Sequence, residues 1–332
     1  LSISPSIRKP ISTNQNRTFF YKEIICFLLF FSTVFLLPKY SVAFTSKELS
    51  PIKLVATIGG KEGKSRLRQP SSVLVADDGR IFVLDGAVNR VAVFSKTGKF
   101  LYNFGSAHLD RPLGMAMDPN GLLYVTDTGN GRIQLFSSSG KHLKQINLPE
   151  GKKGTPTEPV DVAVDGKRSI LYIVDNNNHR ILIYNLKKNS LIKSIGKMGM
   201  GEGELRWPFS IAINKKGVVF VVDVVNTTVR TIHPENNWAF KYDVGKWGIQ
   251  KGEFFRPKGV AINSKGELFV SDSYLGVVQI FEEKGRFLSV LSNSDKTIHY
   301  FTTPARLFFD QHDRLYVVEM FANRIAIFEI NR

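Results

Sequence analysis

Along most of the chain, apolar residues come in short runs bounded by Gly, Asn or Asp, not in long helical stripes. Leu123-Tyr124-Val125, Ile133-Gln134-Leu135-Phe136 and Ile181-Leu182-Ile183-Tyr184 are representative. Runs of this length between turn residues predict β-strands joined by hairpins. The pattern also repeats. Pro70, Pro112, Pro159, Pro208, Pro257 and Pro304 each open one copy, and successive prolines are 42, 47, 49, 49 and 47 residues apart. Each copy carries an acid (Asp85, Asp127, Asp175, Asp223, Asp272 and Glu319) 15 residues after its proline, or 16 in the third copy. A fixed period of this size indicates a repeat architecture.

The second copy predicts one unit in full. Met115–Met117 forms a first strand, Asp118-Pro119-Asn120-Gly121 a tight turn, and Leu123–Thr126 a second strand. Arg132–Phe136 and Leu143–Asn147 supply the third and fourth, giving a four-stranded antiparallel blade. Large side chains recur three residues before the acid (Phe82, Tyr124, Tyr172, Phe220, Phe269, Tyr316) and nine after it (Phe94, Phe136, Tyr184, Ile232, Phe281, Phe328). At fixed positions they read as packing between adjacent sheets. Ala116, Ala163, Ala212 and Ala261 recur in the first strands, where small side chains let the innermost strands approach an axis. The sixth copy stops after its third strand. The missing fourth is expected from Leu54–Gly60, whose sequence parallels Leu191–Gly196, so that the ring closes through the segment before the first copy.

The unit spelled by Pro112, Gly114, Ala116, Asp118, Gly121, Tyr124, Val125, Asp127, Asn130, Arg132 and Phe136 resembles the NHL repeat. The resemblance covers about residues 50–332 and implies an all-β, six-bladed β-propeller of four-stranded antiparallel blades over residues 44–332. It also implies a structural role for the acid and for the Arg five residues later. That Arg is present as Arg90, Arg132, Arg180 and Arg324, whereas Thr228 and Val277 replace it in copies four and five, so those loops are expected to differ in shape. Some NHL propellers are amidating lyases that hold zinc with histidines just after blade prolines. Here those positions are Ser71, Leu113, Val160, Phe209, Lys258 and Ala305. No metal site, cofactor or catalytic residue is therefore expected, and His108 and His299, the two histidines in comparable loops, do not complete a zinc site.

Charge and the start of the chain bear on partner and location. Arg8, Lys9, Arg17 and Lys22 precede an apolar run, Ile24–Leu37, and Ser41-Val42-Ala43 supplies small residues for cleavage. Residues 1–43 thus read as a secretory signal peptide and imply a periplasmic or extracellular protein. An uncleaved membrane anchor at residues 19–37 is the alternative. The formal charge of +16 falls to +12 beyond residue 43, because residues 1–43 hold five basic residues and one acid. Such an excess favours anionic partners. With an export signal, nucleic acid gives way to anionic envelope polymers or an acidic protein, and membrane contact is expected only through an uncleaved N-terminal segment.

Function is expected in the departures from the repeat. The loops after the acids are polar in copies two and three but apolar elsewhere: Val88, Val224, Val225, Tyr274, Leu275, Met320 and Phe321, with Arg111 and Arg256 among the basic residues around them. An apolar centre with a charged rim reads as a protein or peptide interface on a monomeric propeller; the alternative is that Trp207, Trp247, Phe254 and Phe255 cover these side chains. A second candidate lies at the channel mouth, where Asp161 and Arg306 occupy equivalent positions in opposite copies. They are expected either to hold a small zwitterion or to carry local hydrogen bonds. Scaffold, channel-mouth lyase or hydrolase, and anionic-polymer binder are the three readings, in that order.

Overall fold

Each copy of the repeat folds along the lines of its hydrophobic pattern in the computed structural model, which describes residues 44–59 and 65–331. The signal or anchor expected in residues 1–43 lies outside the described residues. In the second copy the strands are Met115–Met117, Leu122–Asp127, Arg132–Ser137 and His142–Asn147. The first turn forms because the Asp118 carboxylate accepts the N–H groups of Asn120 and Leu122, while Gly121 adopts a φ of 77° that a side chain would resist.

The strands assemble into four sheets of four strands and one of eight. The larger sheet is continuous through a single strand, Leu49–Ile58. Its first residues, Leu49 to Pro51, pair in parallel with Phe287–Ser292 of the fifth copy. From Ile52 onward it runs antiparallel to Arg324–Ile330 of the sixth copy. The expected closing strand is thus present, starts earlier than Leu54, and also reaches the neighbouring sheet.

Packing between sheets explains the recurring aromatics. Phe82, Tyr172, Phe220, Phe269 and Tyr316 are essentially inaccessible, as are Phe94, Phe136, Ile232 and Phe281. Each contributes roughly 2–3 kcal/mol by removal from water. One cluster joins Phe82 and Val93 to Leu123 and Phe136, another joins Tyr172 and Ile183 to Val219 and Ile232. The cluster of Tyr316, Ile325 and Ile58 with Val73, Ile81 and Phe94 brings the last copy against the first. The sheets therefore form a closed cycle.

All six acids are buried and fasten the connections between copies. Each accepts a backbone N–H from the segment just before its own proline: Arg68 to Asp85, Asp110 to Asp127, Glu158 to Asp175, Arg206 to Asp223, Arg256 to Asp272 and Thr302 to Glu319. Arg90, Arg132, Arg180 and Arg324 pair with the acids of their copies. In the fourth copy Arg230, two positions later than usual, takes this place at 3.4 Å from Asp223. The fifth copy has no such Arg. Asp272 instead accepts four backbone N–H groups, from Phe255, Arg256, Tyr274 and Leu275, against a burial that pushes its pKa up.

Candidate functional site

The first strands of the copies together line an axial cavity of about 300 Å³. Just after Pro70, Pro159, Pro208, Pro257 and Pro304, the pairing of the first strand with the second slips. A bulge of this kind re-aims the side chains that follow it. It brings Ser72, Asp161, Ser210 and Arg306 to the cavity wall, although the side chains of the inner strands are otherwise apolar there.

Asp161 and Arg306, singled out from the sequence, meet directly. Arg306 Nη1 pairs with Asp161 Oδ2, and both side chains are buried. Arg306 also donates from Nη2 to the carbonyl oxygens of Val160 (2.7 Å) and Phe209 (3.3 Å). Asp161 Oδ2 accepts the Ile211 N–H at 2.9 Å and the Ser210 hydroxyl at 3.2 Å. The contact leaves no room for a zwitterion between the two, so local hydrogen bonding is the reading the geometry supports. Glycine makes the approach feasible, since a Cβ on Gly114 would stand 2.6 Å from Asp161 Cα, and one on Gly259 3.0 Å from Arg306 Cα. Burial lowers the Arg306 pKa to about 9. Beside it, Lys258 Nζ lies 4.1 Å from the centre of the Phe209 ring, and burial together with the Arg256 charge lowers the Lys258 pKa to about 8.

The apolar loops divide. Val88, Val224, Leu275 and Met320 are half-buried, and Tyr274 is stacked on Phe255 with ring centres 4.1 Å apart. Phe321 and Val225 remain exposed, at 55% and 41%. Arg111 is exposed and only loosely paired with Asp110, at 3.9 Å; Arg256 is half-buried, its backbone N–H held by Asp272. Of the four expected covering residues, Phe255 covers Tyr274 and Phe254 enters the core. Trp207 and Trp247 stay in water, at 41% and 70%.

That exposure reveals a feature the sequence reading passed over. The connections after the third and fourth copies, Lys197–Leu205 and Lys246–Phe254, have the same internal bonding. In the first, Leu205 N–H donates to Lys197 O, Gly199 N–H to Leu205 O, and Gly201 N–H to the Glu204 carboxylate, which also pairs with Lys197. In the second, Phe254, Gly248, Gln250, Glu253 and Lys246 repeat each contact. A Cβ on Gly199 or Gly248 would fall 1.9 Å from the glutamate oxygen, so a side chain there would displace the carboxylate from the N–H it accepts. With the polar atoms turned inward, the intervening apolar residues face out: Met198 (59%) and Met200 (71%) in one loop, Trp247 (70%) and Ile249 (46%) in the other. The signal was the shared Lys-x-Gly-x-x-x-Gly-Glu spacing, 49 residues apart.

The histidines singled out from the sequence are held by neighbours. His108 stacks on His142 at 4.0 Å, and His299 lies against Phe301 and Phe328. Among the described residues, no three His, Cys, Asp or Glu side chains gather as metal ligands.

Comparison with known proteins bears on the fold. The NHL-repeat family model matches residues 109–136, from just before Pro112 to the third strand of the second copy. The chain is a β-propeller that carries an NHL repeat. This propeller matches no curated protein. Among solved structures it is similar to a streptogramin B lyase, with 13% identity, a TM-score of 0.62, and coverage of 84% of this chain and 98% of the other. It is also similar to virginiamycin B lyase from Staphylococcus aureus, at 15% identity and a TM-score of 0.53 over 78% and 80% of the two chains. An auxiliary nutrient binding protein from Bacteroides thetaiotaomicron shares 11% identity and a TM-score of 0.63 over 80% and 70%. At such identities the likeness is one of fold alone.

Proposed function

We propose that this chain is an exported, six-bladed propeller that acts as a scaffold, binding a protein or peptide partner through the face where the copies connect. Six blades follow from reading the eight-stranded sheet as two blades joined along Leu49 to Pro51. The observation that carries the binding role is the pair of like-built loops exposing Met198, Met200, Trp247 and Ile249. Rigid loops that hold large apolar side chains in water favour association, because little conformational freedom remains to be lost. Val225, Phe321 and the basic residue Arg111 extend the exposed surface of the connections.

The test is retention of a partner from envelope extract at low and high salt, on the unaltered protein and on Trp247→Asp/Met200→Asp. A discrete partner kept at high salt and lost with the substitutions is the expected result. If retention instead collapses with salt and ignores the substitutions, the +12 charge is acting and an anionic-polymer binder takes its place. A channel-mouth enzyme rests on likeness of fold to the lyases alone.

A further inference from the structure

At the end of the axial cavity that faces the connections, one amine stands without an acceptor. The cavity wall ends there in Asp161, Ser210 and Arg306, each two residues after its proline. One residue nearer the proline, the six copies carry Ser71, Leu113, Val160, Phe209, Lys258 and Ala305, of which only Lys258 is charged. Its Nζ rests 4.1 Å from the centre of the Phe209 ring, which also meets the Arg306 guanidinium at 5.0 Å. Among the described residues, no oxygen accepts a hydrogen bond from the Lys258 amine and no carboxylate pairs with it. The residue is half-buried and its Nζ stays open to solvent. An aromatic face is worth about 0.5–2 kcal/mol to an ammonium, less than the cost of drawing that charge out of water. We propose that Lys258 is a nucleophilic amine that captures a small aldehyde as an imine at the mouth of the axial cavity.

The chemistry follows from what the surroundings withhold. A lysine attacks a carbonyl only as the free amine, and desolvation beside another cation is what frees it. Burial and the Arg256 charge bring the Lys258 pKa down to about 8. About a tenth of the amine is then free at pH 7, against fewer than about one in a thousand for an ordinary lysine. Capture is reversible and needs no further reactant. Nζ adds to the carbonyl carbon, a C–N bond forms, and the carbonyl oxygen departs as water with both amine hydrogens. The imine nitrogen that remains is neutral and has no hydrogen to donate. The product therefore suits a place without an acceptor better than the ammonium does. An aldehyde, with a hydrogen on its carbonyl carbon, is the carbonyl that forms imines most readily and needs the least room beside the Phe209 ring.

The test is reductive trapping on the full chain with butanal and cyanoborohydride at pH 7, read by intact mass and by peptide mapping. Lys246 and Lys197, whose side chains are 77% and 70% exposed, serve as the comparison in the same digest. A less basic amine is a weaker nucleophile, which offsets part of the advantage in free amine. Lys258 should still be labelled about tenfold faster than either. Between pH 7 and pH 9 the ratio of Lys258 to Lys246 adduct should fall about tenfold, because the Lys258 amine is the first to be set free. Lys258→Met should remove most of the adduct formed at pH 7. Labelling of Lys258 no faster than that of Lys246, a ratio constant with pH, or an adduct yield unchanged in Lys258→Met overturns the proposal.

Discussion

Asp161 and Arg306 show how much a single repeat position can do. Their equivalents in the other copies are Ser72, Gly114, Ser210 and Gly259, small residues that leave the space these two fill. Because each charge is buried with the other as its main partner, either alone is left stranded. Asp161→Leu or Arg306→Met should each destabilise the fold by about 3–5 kcal/mol in denaturant unfolding, whereas the double variant should lie near the parent. That these two differ from the repeat was legible in the sequence. Their direct contact was not, because it depends on the bulges after Pro159 and Pro304, backbone slips that no residue type announces. Lys258 was also missed, since nothing in the sequence marks it as a cation resting on the ring of Phe209, 49 residues away. Its pKa of about 8 lies below the ordinary 10.5, so the ammonium opposes folding at neutral pH. The opposition fades as pH rises from about 8 toward 10.5, the range in which the unfolded chain binds more protons than the folded one. Lys258→Met should therefore raise stability at pH 7 by on the order of 1 kcal/mol and flatten that rise, as followed by thermal unfolding across pH.

At the level of elements, the strands were legible and the connections were not. Period-two alternation and turn residues fix where a strand begins and ends, and the recurrent aromatics fix which side packs. Where Thr228 and Val277 replace the Arg, the acid is held by other groups: Arg230 in one copy, four backbone N–H groups on Asp272 in the other. For the connecting loops, however, apolar content points two ways. A Trp in such a loop lies over its neighbours or stands in water according to how the backbone is pinned, and that depends on a glutamate reaching back to N–H groups in its own loop. Glu253→Ala removes the pin. Hydrogen exchange across Lys246–Phe254 should accelerate, Trp247 fluorescence anisotropy should fall, and global stability should drop by only about 1 kcal/mol. The matching loop, Lys197–Leu205, should keep its protection and so serve as an internal control.

For the whole molecule, the decisive element is the strand Leu49–Ile58, which ties the fifth and sixth copies together and completes the last. Without it, Phe287–Ser292 and Arg324–Ile330 would present open edges, which invite intermolecular pairing. Deleting residues 50–60 should abolish the cooperative unfolding transition and raise light scattering; a soluble, cooperatively folding deletion would show that the ring holds without its clasp. This pairing also imposes a schedule. Leu49–Ile58 is made before any of the copies, yet its partner Arg324–Ile330 belongs to the last of them. From Ile52 onward the first strand must wait for that partner while the copies between them are synthesised. The clasp thus registers that the ring has been built: a chain interrupted anywhere before Arg324 keeps an open edge, and only one that reaches Ile330 can shut it.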